Sequence, residues 1–255
     1  DPLAVVHRYI DDADREAVGL IAAAFSSGNI KSILAFLDRM LAPMGNHPAE
    51  WLRAHEPKDM RGVFAGLYHR WVTEQDVEVF AALLGEALRQ YGTLGALWSE
   101  VDDPEEKTTI STLARFSDAL LTLRVEPLQV RTRVMNRADG REVALASIPS
   151  ILITSPTGGS ACKRMHMFLR WMARPADCID TGIWTDFLSP ARLMMPVDTH
   201  VLRICRKLRL TRRKVADRKA VEEITEAFRA ISPDDPCRYD FSLVRAGIEG
   251  RFPGL

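Results

Sequence analysis

The sequence predicts an all-α fold of roughly ten helices, and three observations carry that prediction. Apolar residues recur at three- and four-residue spacing in one segment after another. Residues that start helices stand ahead of several of those segments. No segment sustains the two-residue alternation of a half-buried strand, and no period of twenty to fifty residues repeats. With 255 residues and 47% hydrophobic content the chain can bury a sizeable core, whereas no uninterrupted apolar run is long enough to span a bilayer.

Residues 1–41 carry two helical patterns. Asp11 to Glu16 supply acids at the positive end of a first helix, in which Val18 to Phe25 is apolar nearly all round, as a core helix must be. Ser26 to Asn29 break the chain, and Ile30, Ile33, Leu34, Phe36, Leu37, Met40 and Leu41 form the second pattern. After the break at Met44 to Pro48, a short helix from about Ala49 carries Trp51 and Leu52, and Gly62 to Trp71 leads into another. Thr73-Glu74-Gln75-Asp76 has the form of a capping box ahead of Val77 to Tyr91, and Gly92 to Gly95 stop that helix. Asp102-Asp103-Pro104-Glu105-Glu106 is expected to start a long helix running through Leu123, with Pro104 in its first turn.

Between Arg131 and Ile153 the periodicity weakens; Asp139-Gly140 reads as a turn and Ile148 to Leu152 as a short apolar segment. Pro156 to Ser160 form a turn ahead of the most regular helix, Ala161 to about Arg174, whose core stripe is Met165, Phe168, Leu169 and Met172. A further helix begins at Asp198, a favoured N-cap, with Val201, Ile204, Cys205 and Leu208 as its buried stripe and Arg203, Arg206, Lys207 and Arg209 on its other faces. Val215 to Ile231 and Tyr239 to about Ile248 complete the helices.

The 34 lysines and arginines equal the 34 acids, so overall charge gives no support to nucleic-acid binding, but its distribution does. From Ser160 to Lys214 twelve cations stand against four aspartates, a local excess of eight. Cys162, Cys178, Cys205 and Cys237 are scattered with no CxxC pair, which speaks against a zinc ribbon or iron–sulfur ligand cluster and for free thiols in a reducing cytoplasm. The chain opens on Asp1-Pro2 without an initiator Met and shows no signal peptide, so residues are expected before Asp1 and the expected location is cytoplasmic. No metal site, cofactor or membrane partner is expected.

Two stretches carry chemistry. In Gly158-Gly159-Ser160 small residues precede a helix, where backbone amides and partial positive charge can receive a phosphate. Lys163 follows in the first turn, where the macrodipole disfavours a cation, and Arg164 lies beside it. A lysine amine becomes a nucleophile when desolvation or nearby positive charge lowers its pKa. The second stretch, Pro196-Val197-Asp198-Thr199-His200-Val201, delivers a carboxylate that could stabilise positive charge on a sugar, as carboxylates do in glycoside cleavage. His166 and His200 lack metal-ligand companions at usable spacing.

These stretches together resemble the helix-hairpin-helix DNA glycosylase superfamily, HhH-GPD, which includes endonuclease III-type enzymes and archaeal 8-oxoguanine glycosylases. More narrowly, Gly159 to Arg164 with Phe168-Leu169-Arg170-Trp171-Met172, the Pro196 to Val201 motif and Tyr239-Asp240-Phe241-Ser242-Leu243 are similar to a bacterial family of unassigned function, DUF2400, over nearly the whole chain. The superfamily resemblance implies a multi-helix glycosylase-like fold of two packed helical halves with a cleft between them, with residues 1–30 plus about 150–255 forming one half and about 31–149 the other.

The same resemblance implies catalytic roles for Lys163 and Asp198, and DNA, in the form of damaged duplex, as the partner; nucleoid association would follow. Gly158, Gly159, Ser160, Arg164, Arg203, Arg206 and Lys207 are the expected DNA-binding residues, and Trp171, Trp184 and Cys162 the base-pocket candidates. The expected activity is base excision, either alone or followed by strand cleavage through a lysine Schiff base. Two departures matter: Ser155-Pro156-Thr157-Gly158-Gly159-Ser160 is at most a modified hairpin, and the four-cysteine loop after Leu243 is absent. The modified hairpin leaves a second reading open, a non-catalytic DNA-binding module on the same fold.

Overall fold

The computed structural model describes residues 1–136 and 142–248, and among these the chain is helical apart from one hairpin. Twelve α-helices and four short 3-10 turns are formed among the described residues. They fall into two units: residues 1–100 with 116–154, and residues 101–115 with 155–255. Residues 1–30 fall in the first unit.

The first unit is built around α2 (Asp12–Ala24), whose residues Ala17 to Ala24 are all buried, as its apolar sequence requires. Asp11 caps it by accepting from the Ala13 and Asp14 amides. Two acids inside this helix do something the sequence did not announce, because they serve other helices. Asp14 accepts from the Ala49 amide at 2.7 Å, at the start of α4 (Pro48–Ala54). Glu16 accepts from the Leu94 and Gly95 amides, the first of α6 (Leu94–Val101), at 2.8 and 3.1 Å. The first amides of a helix lack partners within it, so each buried carboxylate finds donors and each helix start finds an acceptor.

The other end of α4 is closed in the same way, by a cation. Arg89 of α5 (Glu74–Tyr91) donates to the Leu52, Arg53 and His55 carbonyls, and a Cβ on Gly85 of α5 would lie 2.5 Å from the Leu52 oxygen. The two helices therefore pack backbone to backbone where only glycine fits. The capping box expected at Thr73 and Asp76 is present, and Arg131 binds both its side chains. Also in this unit are α1 (Leu3–Val6), α3 (Ile30–Leu41), the C-terminal part of α7 (Ile110–Leu121) and α8 (Ile148–Leu152).

The all-α expectation holds apart from one short hairpin, in which strands β1 (Thr132–Asn136) and β2 (Glu142–Ser147) pair antiparallel. A register irregularity between Arg133 and Val134 interrupts an already short alternation, which is why the pattern escapes a periodicity search. The turn expected at Asp139-Gly140 lies outside the described residues.

In the second unit, Asp102 to Glu106 do not begin a helix; α7 starts only at Ile110. Arg192 has taken over this segment. Its guanidinium binds Asp102 through two nitrogens at 2.7 and 2.8 Å and also donates to the Asp103 and Glu106 carbonyls. A bidentate, largely buried ion pair outweighs the local preference of Pro104 for a first turn. The remaining helices are α9 (Lys163–Ala173), α10 (Thr199–Lys207), α11 (Arg218–Arg229) and α12 (Asp240–Ile248). No helix among the described residues is long and apolar enough to cross a membrane.

Candidate functional site

Helix α9 begins in an unusual way. The residue before it, Cys162, is buried and left-handed, with φ 42° and ψ 35°, a conformation that costs a side-chain-bearing residue roughly 1–2 kcal/mol. Its amide donates to Ser160 Oγ at 3.2 Å. Gly159 ahead of it has φ 78°, which glycine alone adopts freely, and a Cβ there or on Gly158 would meet open space. The turn is anchored at the start of α11, where the Arg218 amide donates to the Gly159 carbonyl at 2.9 Å and Ser160 pairs with Asp217. Gly158, Gly159 and Ser160 are exposed, so their backbone is accessible to a ligand.

Lys163 is the first residue of α9, and Asp198 caps α10. The two carboxylate oxygens of Asp198 divide the work. Oδ1 accepts from the His200 and Val201 amides, both at 2.9 Å, while Oδ2 lies 3.3 Å from Lys163 Nζ. Burial pushes the Asp198 carboxyl up, but the Val201 amide, the Lys163 ammonium and the His200 amide together hold it below the usual carboxylate range. Side-chain exposures of 34% for Lys163 and 27% for Asp198 leave the pair open to solvent. A cation in a first turn opposes its own helix dipole, and here the aspartate of another helix compensates it.

Beneath the pair lies a buried ionic network that sequence reasoning missed. Arg170 of α9 bridges Asp240 at 2.8 Å and Asp180 at 3.1 Å, while Arg174 binds Asp180 and, at 2.9 Å, Asp235. Burial raises the Asp240 carboxyl against the pull of Arg170 and Lys163, and the Asp198 charge adds to the rise. The network ties α9, which carries Lys163, to the start of α12 and to the loop after α9. That loop turns at Gly182, φ 68°, where a Cβ would lie 2.5 Å from the Ala176 nitrogen. The local signal for the network is a pair of arginines four apart, Arg170 in the last turn of α9 and Arg174 at its C-cap, but nothing local names Asp180, Asp235 and Asp240 as their partners.

The base-pocket candidates have other work. Trp171, Trp184 and Cys162 are buried at 1%, 0% and 2% exposure, and neither indole presents a face on which a base could stack. Trp184 packs edge-on against Phe168, with centroids 5.2 Å apart. The Trp171 carbonyl accepts from Thr181. These residues complete the stripe of Met165, Phe168, Leu169 and Met172, all buried as expected. His166 is buried too, and burial holds its imidazole down to about 4, so it is neutral. Arg164 is half-buried.

On α10, Val201, Ile204 and Cys205 form the buried stripe together with Leu202, whereas Leu208 is 46% exposed, because the helix ends at Lys207 and the chain turns away. Arg203, Arg206 and Lys207 are exposed and, with Thr211 and Arg212, line an open pocket of about 450 Å³. Among the described residues no group of three or more His, Cys, Asp or Glu side chains is placed to hold a metal ion. No curated protein and no solved structure matches the chain. A family model does: "Protein of unknown function (DUF2400)" matches residues 1–249, and the chain belongs to that family.

Proposed function

We propose that this protein is a DNA glycosylase with lyase activity, built on a helix-hairpin-helix glycosylase-type fold, and that Lys163 and Asp198 are its catalytic residues. The observation that carries the reading is the 3.3 Å approach of Lys163 Nζ to Asp198 Oδ2, two residues from different helices at the solvent-open starts of both. A nucleophile and a charge-stabilising carboxylate within hydrogen-bonding reach are what the reaction needs.

The reacting sugar carbon is inaccessible in stacked duplex, so the damaged nucleotide is extruded first. Lys163, once its ammonium has passed a proton to water, attacks C1′ of the deoxyribose. The C1′–N bond breaks, its electron pair leaves with the base, and the proton released by the lysine nitrogen passes to the base through water. Ring opening, with O4′ protonated by water, gives a protonated imine between C1′ and Nζ. Removal of a C2′ proton then expels the 3′ phosphate, and the strand is cut. Asp198, held ionised by its own helix amides, suits charge stabilisation better than proton storage: it faces the cationic sugar and nitrogen. The exposed Gly158-Gly159-Ser160 backbone is the proposed phosphate rest beside Lys163, and Arg164 the cation nearest to it in sequence.

The test is borohydride trapping on duplexes carrying an abasic site, 8-oxoguanine and other oxidised or alkylated bases. Wild type should give a covalent adduct that disappears in Lys163→Ala, and Asp198→Asn should slow adduct formation about 100-fold or more. Neither adduct nor base release across the panel overturns the catalytic reading; DNA binding without base release would mark the non-catalytic module instead.

A further inference from the structure

The cations of α10 are not distributed as solvation or helix capping requires. From Thr199 to Lys214 there are seven lysines and arginines and no acid. Arg213 among them is tied down, paired with Asp217 at 2.5 Å and Glu223 at 4.0 Å. Arg203, Arg206, Lys207 and Arg212 are exposed, make no ion pair among the described residues, and converge on one pocket. Arg206 and Lys207 in the last turn complement the helix dipole, but Arg203 lies a turn earlier and Arg212 beyond the helix, so the dipole does not account for them.

The chain also holds this pocket in shape. Past the helix end Arg209 adopts φ 61°, and the Leu210 amide returns to the Cys205 carbonyl at 2.9 Å. The reversal brings Arg212 back beside the helix, and Thr211, buried, is fixed by Glu223 at 2.6 Å. From Asp198 to the pocket the exposed face of α10 is continuous: Thr199, His200, Arg203, Arg206 and Lys207 follow one another at three- and four-residue spacing. Eight residues at 1.5 Å each put Arg206 about 12 Å along the helix axis from Asp198.

We propose that this pocket seats a backbone phosphate of the DNA strand, at the far end of the same α10 face from the nucleotide held at Lys163 and Asp198, about 12 Å along the helix axis from Asp198. The assignment rests on the DNA reading above but not on its chemistry. It makes Arg212 a phosphate contact, gives the strand a direction along α10, and explains four uncompensated cations in a chain of zero net charge. Four converging positive side chains suit a phosphate oxyanion, and a backbone phosphodiester also satisfies the continuous acid-free stripe that leads there.

The experiment measures binding of the full chain to a fluorescein-labelled, undamaged 20-base-pair duplex by anisotropy, from 50 to 300 mM KCl. Arg206→Ala/Arg212→Ala should weaken binding roughly 10- to 100-fold at 100 mM and lower the slope of log K against log salt by about 1, the value for one lost phosphate contact. Arg206→Lys/Arg212→Lys should keep the slope, because charge sets it. Lys31→Ala/Arg39→Ala, which removes two exposed cations elsewhere, should leave both quantities unchanged. Unchanged affinity and slope in Arg206→Ala/Arg212→Ala would overturn the assignment, as would an equal loss in Lys31→Ala/Arg39→Ala. Thermal stabilisation of wild type by millimolar inorganic phosphate, lost in Arg206→Ala/Arg212→Ala, with no duplex binding would also overturn it and identify a free-phosphate site. A reduced slope in that variant, with no borohydride adduct in wild type, would retain the phosphate seat and reject the lyase.

Discussion

Asp14 and Glu16 of α2 and Asp198 ahead of α10 all accept hydrogen bonds from the starts of helices, yet they differ in what they have left to give. Asp14 and Glu16 are buried and serve helices other than their own, so their role is to join elements of the first unit. Asp198 needs only Oδ1 for its own helix, and its second oxygen meets Lys163 at a solvent-open position. One motif, a carboxylate at a helix start, is therefore structural where both oxygens are enclosed and chemically available where one remains. The same contrast holds for cations: Arg170 is enclosed by Asp180 and Asp240, while the arginines of α10 face solvent.

Substitutions should separate the enclosed from the available groups. The largest loss of stability is expected from Arg170→Ala, which strands buried Asp240 and leaves Asp180 to Arg174 alone; about 3–5 kcal/mol should disappear in urea unfolding, with any adduct formation lost through misfolding. His166 comes next. Its imidazole titrates at about 4 in the fold against 6.5 when unfolded, so the unfolded chain binds the extra proton between those values. Stability from this group is present in full above pH 6.5 and falls as the pH drops to 4, by on the order of 3 kcal/mol. Denaturation from pH 7.5 to 4.5 should show a shallower pH slope in His166→Gln than in wild type.

Gly85→Ala, which drives a methyl into the Leu52 carbonyl, should cost about 1–3 kcal/mol by the same assay. Asp14→Ala should cost about 1–3 kcal/mol because the Ala49 amide loses its buried acceptor. Asp198→Asn should change stability least, within about 1 kcal/mol, since an amide oxygen still caps α10 and the lost ion pair is solvent-screened. A loss at Asp198 as large as that at Arg170 would erase the distinction between the two regions.

Legibility in the sequence followed the range of the interaction. The capping box at Thr73 and Asp76, the cap at Asp198 and the buried stripe of α9 are all written within a few residues, and each was readable. The start of α7 was misread because Asp102 answers to Arg192, 90 residues away, and no local pattern reports that pairing. Asp14 and Glu16 looked like first-turn acids for α2 and instead bind amides 35 and 78 residues on. Trp171 and Trp184 lie close in sequence to the two motifs, but both rings are buried, Trp184 against Phe168, and burial of that kind is set by packing that no local pattern reports. At the candidate site, Lys163 and Asp198 are legible as individuals; their meeting joins two helices across 35 residues of chain, and no local pattern reports it.

The central claim is that the Lys163 amine is the nucleophile, and it is tested most directly by locating the covalent bond. Wild-type protein trapped with borohydride on abasic duplex, digested and sequenced by mass spectrometry, should carry the reduced sugar on Lys163. An adduct on another lysine, or on none, would contradict the account.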